Sequence, residues 1–97
     1  MLPDMIKSFR DKDVQRIWSG EGVRRFPPEL QKTIRRKLRM LNNARTIEDL
    51  RIPPGNRLEM LHGDRAGRYS IRINDQWRVC FIWDKGDALD VEIVDYH

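Results

Sequence analysis

Cysteine is almost absent from the 97 residues. Cys80 stands alone, which excludes an internal disulfide and any cysteine-rich metal site. Its neighbours Val79 and Phe81 mark it as a buried, inert thiol. Histidine is scarce too. His62 and His97 lie far apart, without the short carboxylate spacing of a metal site, so no metal or other cofactor is expected. Long apolar runs are also missing. The longest, Val79 to Trp83, is far short of the roughly 20 residues needed to cross a bilayer, so no membrane span is expected. The opening Met1-Leu2-Pro3-Asp4 has neither the basic segment nor the apolar stretch of a secretory signal, and a cytoplasmic location follows as an expectation. The sequence contains no repeat and no low-complexity tract. Mean hydropathy is low, at -0.72, yet the apolar residues fall in periodic runs, so burial can still offset chain entropy. The length suits one domain over residues 1–97, with Met1 to Asp4 as an extra lead before Met5.

What is plentiful is positive charge. From Asp84 to the end the chain holds Lys85 against Asp84, Asp87, Asp90, Glu92 and Asp95. The residues before Asp84 therefore carry 18 basic against 10 acidic side chains, a net of +8. Most of the basic side chains are arginine, the type suited to bidentate phosphate contact. Nucleic acid is the natural partner for such a surface, although an ordinary basic surface has the same composition.

Met5-Ile6-Lys7-Ser8-Phe9 reads as a short strand. Asp11 or Asp13 can cap a short helix carrying Val14, Ile17 and Trp18, ended by Gly20 and Gly22. Pro27-Pro28-Glu29 opens a longer helix to about Asn42. Its Leu30, Ile34, Leu38 and Leu41 share one apolar arc, with Lys32, Arg35, Arg36 and Arg39 opposite. That basic face could contact RNA or an acidic protein segment, or simply be solvated. A connector follows, with at most one helical turn at Ile47 to Leu50. From Asn56 the period becomes alternating, giving strands at Arg57 to Leu61, Tyr69 to Asn74, Trp77 to Trp83 and Leu89 to about Tyr96. The expected fold class is α+β, with two N-terminal helices packed on a mostly antiparallel sheet of four to five strands.

Register brings the chemistry together. Tyr69, Ile71 and Ile73 must share a face with Trp77, Val79, Phe81 and Trp83, which a three-residue loop Asn74-Asp75-Gln76 achieves. Arg72 then stands opposite Arg78. Like charges as direct cross-strand neighbours cost stability, a cost an anion between them would remove. The same rule applied to the next hairpin demands an odd loop at Gly86 that puts Val79, Phe81 and Trp83 with Leu89, Val91 and Ile93. Continued alternation brings Tyr96 to the arginine face, and Glu59 joins it if Leu58 and Met60 face the core. Cleavage of an RNA phosphodiester needs a base for the ribose 2′-hydroxyl, an acid for the leaving oxygen and cations around the phosphate. Glu59, Asp95, Tyr96 and His97 offer proton transfer, and Arg72 and Arg78 offer charge, so a metal is not required.

Pro53-Pro54-Gly55-Asn56-Arg57-Leu58-Glu59, Gly63-Asp64-Arg65-Ala66-Gly67, Asn74-Asp75-Gln76-Trp77-Arg78 and the ending Asp95-Tyr96-His97 together resemble HigB-type plasmid-maintenance killer toxins, especially the GraT-like branch of the RelE superfamily. The likeness covers nearly the whole chain. It implies a RelE-like fold, ribosome-dependent cleavage of translated mRNA, and a HigA-type helix-turn-helix antitoxin through which alone the operon DNA is contacted. Catalytic roles map onto Asp95, Tyr96, His97 and, as the phosphate-stabilising arginine, Arg78. Arg72 matches a basic position, and His62, Arg65 and Arg68 are candidate RNA contacts. Where some HigB toxins have a catalytic His in Leu-His-Pro-Leu-Lys-Gly, this chain has Leu58-Glu59-Met60-Leu61-His62-Gly63. Glu59 replaces that His, which leaves the identity of the general base open.

Plainer readings stand beside these. The last three residues could be only a chain end, and His62 a loop residue. A non-catalytic docking module and a ParE-like gyrase inhibitor are the alternatives of different function. The proton-transfer cluster favours the nuclease, since a pure binder has no use for it.

Overall fold

Asp11 starts the first helix by accepting a hydrogen bond from the Asp13 amide at 3.0 Å, as an N-cap residue should. A computed structural model describes residues 5–63 and 67–95 of the chain. Helix α1 runs Lys12–Trp18 and stops at Gly20, whose φ of +94° a side chain would resist. Helix α2, Pro28–Asn43, begins with proline at its first position, where the missing amide costs nothing. Short 3₁₀ turns follow at Ile47–Arg51 and Pro54–Asn56. Among the described residues four strands follow: β1 Glu59–Met60, β2 Arg68–Arg72, β3 Trp77–Asp84 and β4 Asp87–Asp95. They form an antiparallel sheet in the order β1-β2-β3-β4, and the fold class is α+β as expected.

The core lies between α1, α2 and one sheet face. Ile34, Leu38 and Leu41 from α2 meet Val14 and Ile17 from α1 and Ile71, Val79, Phe81, Val91 and Ile93 from the strands. Each such side chain contributes on the order of 1.5–3 kcal/mol by leaving water. Leu30, at the start of the expected arc, is only half-buried. Two polar side chains of α2 are buried where periodicity suggested none: Gln31 and Lys37. Gln31 staples the preceding loop, its Nε2 donating to the carbonyls of Phe26 at 2.6 Å and Val23 at 2.8 Å.

Three strand expectations need correction. The Met5–Phe9 segment makes only isolated parallel bridges, Ile6 to Ala88 and Phe9 to Val91. The ladder breaks between them because Asp90 is left-handed (φ 51°) and its amide turns to the Ser8 hydroxyl at 2.8 Å. Strand β1 is shorter than Arg57 to Leu61, because Arg57 also lies in the left-handed region (φ 44°) as it closes the Pro54–Asn56 turn. Met60 is exposed rather than directed to the core, whereas Leu61 is buried.

The β3–β4 connection is the third correction. Lys85 and Gly86 both have positive φ (51° and 85°) and form an even, two-residue turn that pairs Asp84 with Asp87. Trp83 therefore faces Ala88, and Leu89 faces Ile82. A bulge between Cys80 and Ile82 then restores the register, so that Val79 faces Ile93 as the alternation demands.

Candidate active site

In the β2–β3 hairpin the expected register holds: Arg72 is the direct partner of Arg78. The Asn74 side chain fixes the turn by accepting from the Gln76 and Trp77 amides at 2.9 and 2.8 Å. Both arginines thus rise from one face, and Glu59, the partner of Ser70 across β1–β2, rises from the same face. Together with Arg57, Asn74 and Asp75 they line a pocket of about 190 Å³. Three guanidinium groups face two carboxylates there, so the pocket is net positive and suited to an anion.

Arg78 and Arg72 are held very differently. Arg78 is only 6% exposed. Its Nε donates to the Ser70 hydroxyl at 2.8 Å, and a terminal nitrogen donates to the Ser70 carbonyl at 3.2 Å and to the Arg57 carbonyl. The guanidinium is thereby oriented before any ligand arrives. Arg72 is partly exposed and pairs with Asp75 at 2.5 Å, whose side chain is almost fully exposed. An exposed ion pair contributes roughly 0–1 kcal/mol, so a phosphate can displace Asp75 at little cost.

The remaining candidates divide. Asp95 is the partner of Trp77, whose ring packs edge-on against Phe26 with centroids 5.3 Å apart. Asp95 therefore belongs to the helix side of the sheet, and its carboxylate accepts from Gln76 Nε2 at 3.0 Å. Arg68 shares the arginine face but sits at its far end, paired with Asp90 at 3.4 Å and Glu92 at 4.0 Å. His62 is exposed beyond the end of β1 and does not line the pocket. On α2, Lys32, Arg36 and Arg39 are exposed. Arg35 is not free to join them, because it donates to the carbonyls of Ile17 and Glu21 at 3.3 Å each and so closes the end of α1. Tyr96, His97 and Arg65 lie outside the described residues.

Sequence reasoning missed Ser70, Arg57, Lys37 and Asn56. Ser70 carried a signal, since a polar residue between Arg68 and Arg72 falls on the arginine face by simple alternation. Lys37 gave a misleading one, because lysine is among the residues least often buried. Burial, with Arg36 and then Arg72 nearby, holds its ammonium below the usual lysine range.

On the helix side, a larger groove of about 610 Å³ runs between α2 and the β2–β3 turn, bounded by Phe26, Leu30, Ile73 and Trp77. Arg25 lies 4.8 Å over the Phe26 ring there and is tied to Asp11 at 2.6 Å. Among the described residues, no cluster of His, Cys, Asp and Glu could hold a metal ion, and no helix is long and apolar enough to cross a membrane.

By comparison with known proteins, this small α+β domain, with one fixed and one exchangeable arginine on a shared sheet face, falls among the RelE-like toxins. The model of HigB-like toxins, the RelE-like toxins of type II toxin-antitoxin systems, matches residues 7–97. Toxin HigB-1 of Vibrio cholerae is 40% identical over 87 residues, covering 89% of this chain and 92% of its own. Endoribonuclease HigB of Proteus vulgaris is 32% identical, covering 96% of this chain and all of its own. The chain belongs to the HigB-like toxin family.

Proposed function

We propose that the chain is an endoribonuclease that cuts translated mRNA on the ribosome in the cytoplasm, without a metal ion, and that a HigA-type helix-turn-helix antitoxin neutralises it. The observation that carries this reading is the Arg72–Arg78 pair in a net-positive pocket beside Glu59. The name of the Proteus vulgaris relative, endoribonuclease, points the same way, and the family match favours the nuclease over a docking module or a gyrase inhibitor.

The chemistry follows from the pocket. The scissile phosphate lies between the two guanidinium groups, displacing Asp75 from Arg72. Removal of the 2′-hydroxyl proton lets that oxygen bond to phosphorus while the bond to the 5′-oxygen breaks, and a proton goes to the leaving oxygen. Glu59 serves as the base. The family roles of Tyr96 and His97 supply the acid, whereas Asp95, on the opposite side of the sheet and bonded to Gln76, takes no part in the proton transfer. Arg78 stabilises the charge that builds on the phosphate, and because it is already oriented it need not reorganise as the barrier is crossed. The basic face of Lys32, Arg36 and Arg39 adds a sequence-independent attraction for RNA.

Purified translating ribosomes test this directly, with wild type compared with Arg72→Ala, Arg78→Ala and His97→Ala, each checked for folding by circular dichroism. Cuts that need the ribosome and drop by about 100-fold or more in the folded Arg78 and His97 variants are expected, the size seen when a preset transition-state donor is lost. Intact mRNA with wild-type protein, or equal cutting by all four proteins, overturns the reading.

A further inference from the structure

The connector that carries Arg57 to the pocket has no long helix or strand of its own, yet it holds the carbonyl that orients Arg78. Leu50 packs it against the α2 core residues, Asn56 Nδ2 reaches Met40 Sδ at 3.8 Å, and a buried hydrogen bond adds a third tie to α2. Lys37, only 6% exposed, donates from Nζ to Asn56 Oδ1 at 2.6 Å. Asn56 is fully buried, and its Nδ2 donates to the Leu50 carbonyl at 3.2 Å, so its amide links the two 3₁₀ turns of the connector. The Asn56 and Arg57 amides close the turn on the Pro53 and Pro54 carbonyls at 2.9 and 3.1 Å. Arg57 then takes its left-handed conformation, and its carbonyl receives Arg78.

Stability alone does not account for a lysine here. A buried ammonium loses hydration that an apolar side chain of the same length would never need, and Arg36 and Arg72 repel it. What the lysine adds is a donor long enough to reach the connector from α2. We infer that Lys37 and Asn56 are positioning residues for the arginine pair: through the backbone of Arg57 they set the orientation of Arg78. This deepens the nuclease reading and rests on it for its catalytic consequence.

The test compares full-length wild type with Lys37→Met, Lys37→Arg and the control Ile34→Val, a core change in the same helix that removes none of the hydrogen bonds of Asn56. The first readout is the Nε–H signal of Arg78 in nitrogen-15 NMR and its exchange with solvent, which reports the bond to Ser70 without any reference to activity. The second is kcat and KM for mRNA cleavage on translating ribosomes. For Lys37→Met we expect Arg78 exchange to speed up by about tenfold and kcat to fall by about tenfold with KM within about twofold, since a misplaced group loses transition-state rather than ground-state contacts. Lys37→Arg restores much of both, and Ile34→Val leaves both near wild type. An unchanged Arg78 signal in Lys37→Met, or effects no larger than those of Ile34→Val, overturns the inference. If Lys37→Met does not fold, Lys37→Gln, which keeps a shorter donor, is read against the same two outcomes. An inactive wild type whose Arg78 signal still responds to Lys37→Met supports the positioning and overturns the nuclease reading. Active wild type with an unresponsive signal overturns the positioning alone.

Discussion

Replacing Ser70 with alanine removes one oxygen and leaves the pocket lining otherwise intact. That oxygen accepts the Arg78 Nε–H at 2.8 Å, and Ser70 is fully buried, so water cannot take its place. A bond to a charged group is worth about 1.5–3 kcal/mol in a protein interior. Arg78 keeps its bonds to the Ser70 and Arg57 carbonyls, so a loss of about 2 kcal/mol is expected. With an unfolding entropy of about 2.1 cal/mol/K per residue, a domain of this size loses about 5 °C of Tm per kcal/mol, which makes the drop about 10 °C. Differential scanning calorimetry reads that drop. A double-mutant cycle with Arg78→Met then separates the bond from general damage to the sheet, with an expected coupling of about 1–3 kcal/mol. Catalysis should suffer as well, because a guanidinium that has lost its bond at Nε no longer meets the phosphate at a fixed angle. A Tm change under about 3 °C, or the same loss from Ser70→Ala in the Arg78→Met background, refutes the claim that this hydroxyl fixes the arginine.

Arg72→Met removes a like charge directly opposite Arg78 and gives up only an exposed pair with Asp75, so urea unfolding at low salt should show no loss or a gain of up to about 0.5 kcal/mol. The same variant should bind RNA more weakly, with the slope of log K against log salt reduced by about 1 in a filter-binding titration. Asp49 accepts the Arg45 and Thr46 amides at 2.9 and 3.1 Å, and these bonds hold its carboxyl below its usual value of 3.8. A depressed carboxyl stabilises the fold above its unfolded value and loses that effect as pH falls through the folded value. The Tm gap between wild type and Asp49→Asn should therefore close as the pH is lowered from 3.8 downward. Asp90→Val should cost about 1–2 kcal/mol in chemical denaturation, because a β-branched residue at φ 51° strains the bulge, whereas Asp90→Gly should relieve that strain.

Local order decided what was legible in advance. The Asp11 cap, the proline start of α2 and the Arg72–Arg78 pairing are set by neighbours a few residues away, and the period of a strand fixes its faces over such a distance. Those faces placed the arginines together; Glu59 lines the same pocket although Met60, which the same alternation sent to the core, is exposed. The β3–β4 register escaped the same reasoning. An even turn and a later bulge compensate for each other, and the left-handed Asp90 in that bulge answers to Ser8, a residue from the opposite end of the chain. Arg35 likewise looked free on a helical wheel because the carbonyls that occupy it belong to another helix.

The amino-acid order alone therefore determined the class of fold, the basic character and the side of the sheet on which the two arginines meet, since all three follow from periodicity and charge. Only tertiary structure decided which guanidinium is fixed and which is free to exchange partners. That difference comes from the Ser70 hydroxyl within the same hairpin and from Arg57 and the buried Lys37–Asn56 bond, contacts between more distant segments, and the strength of all three depends on the exclusion of water by packing, which no local pattern records.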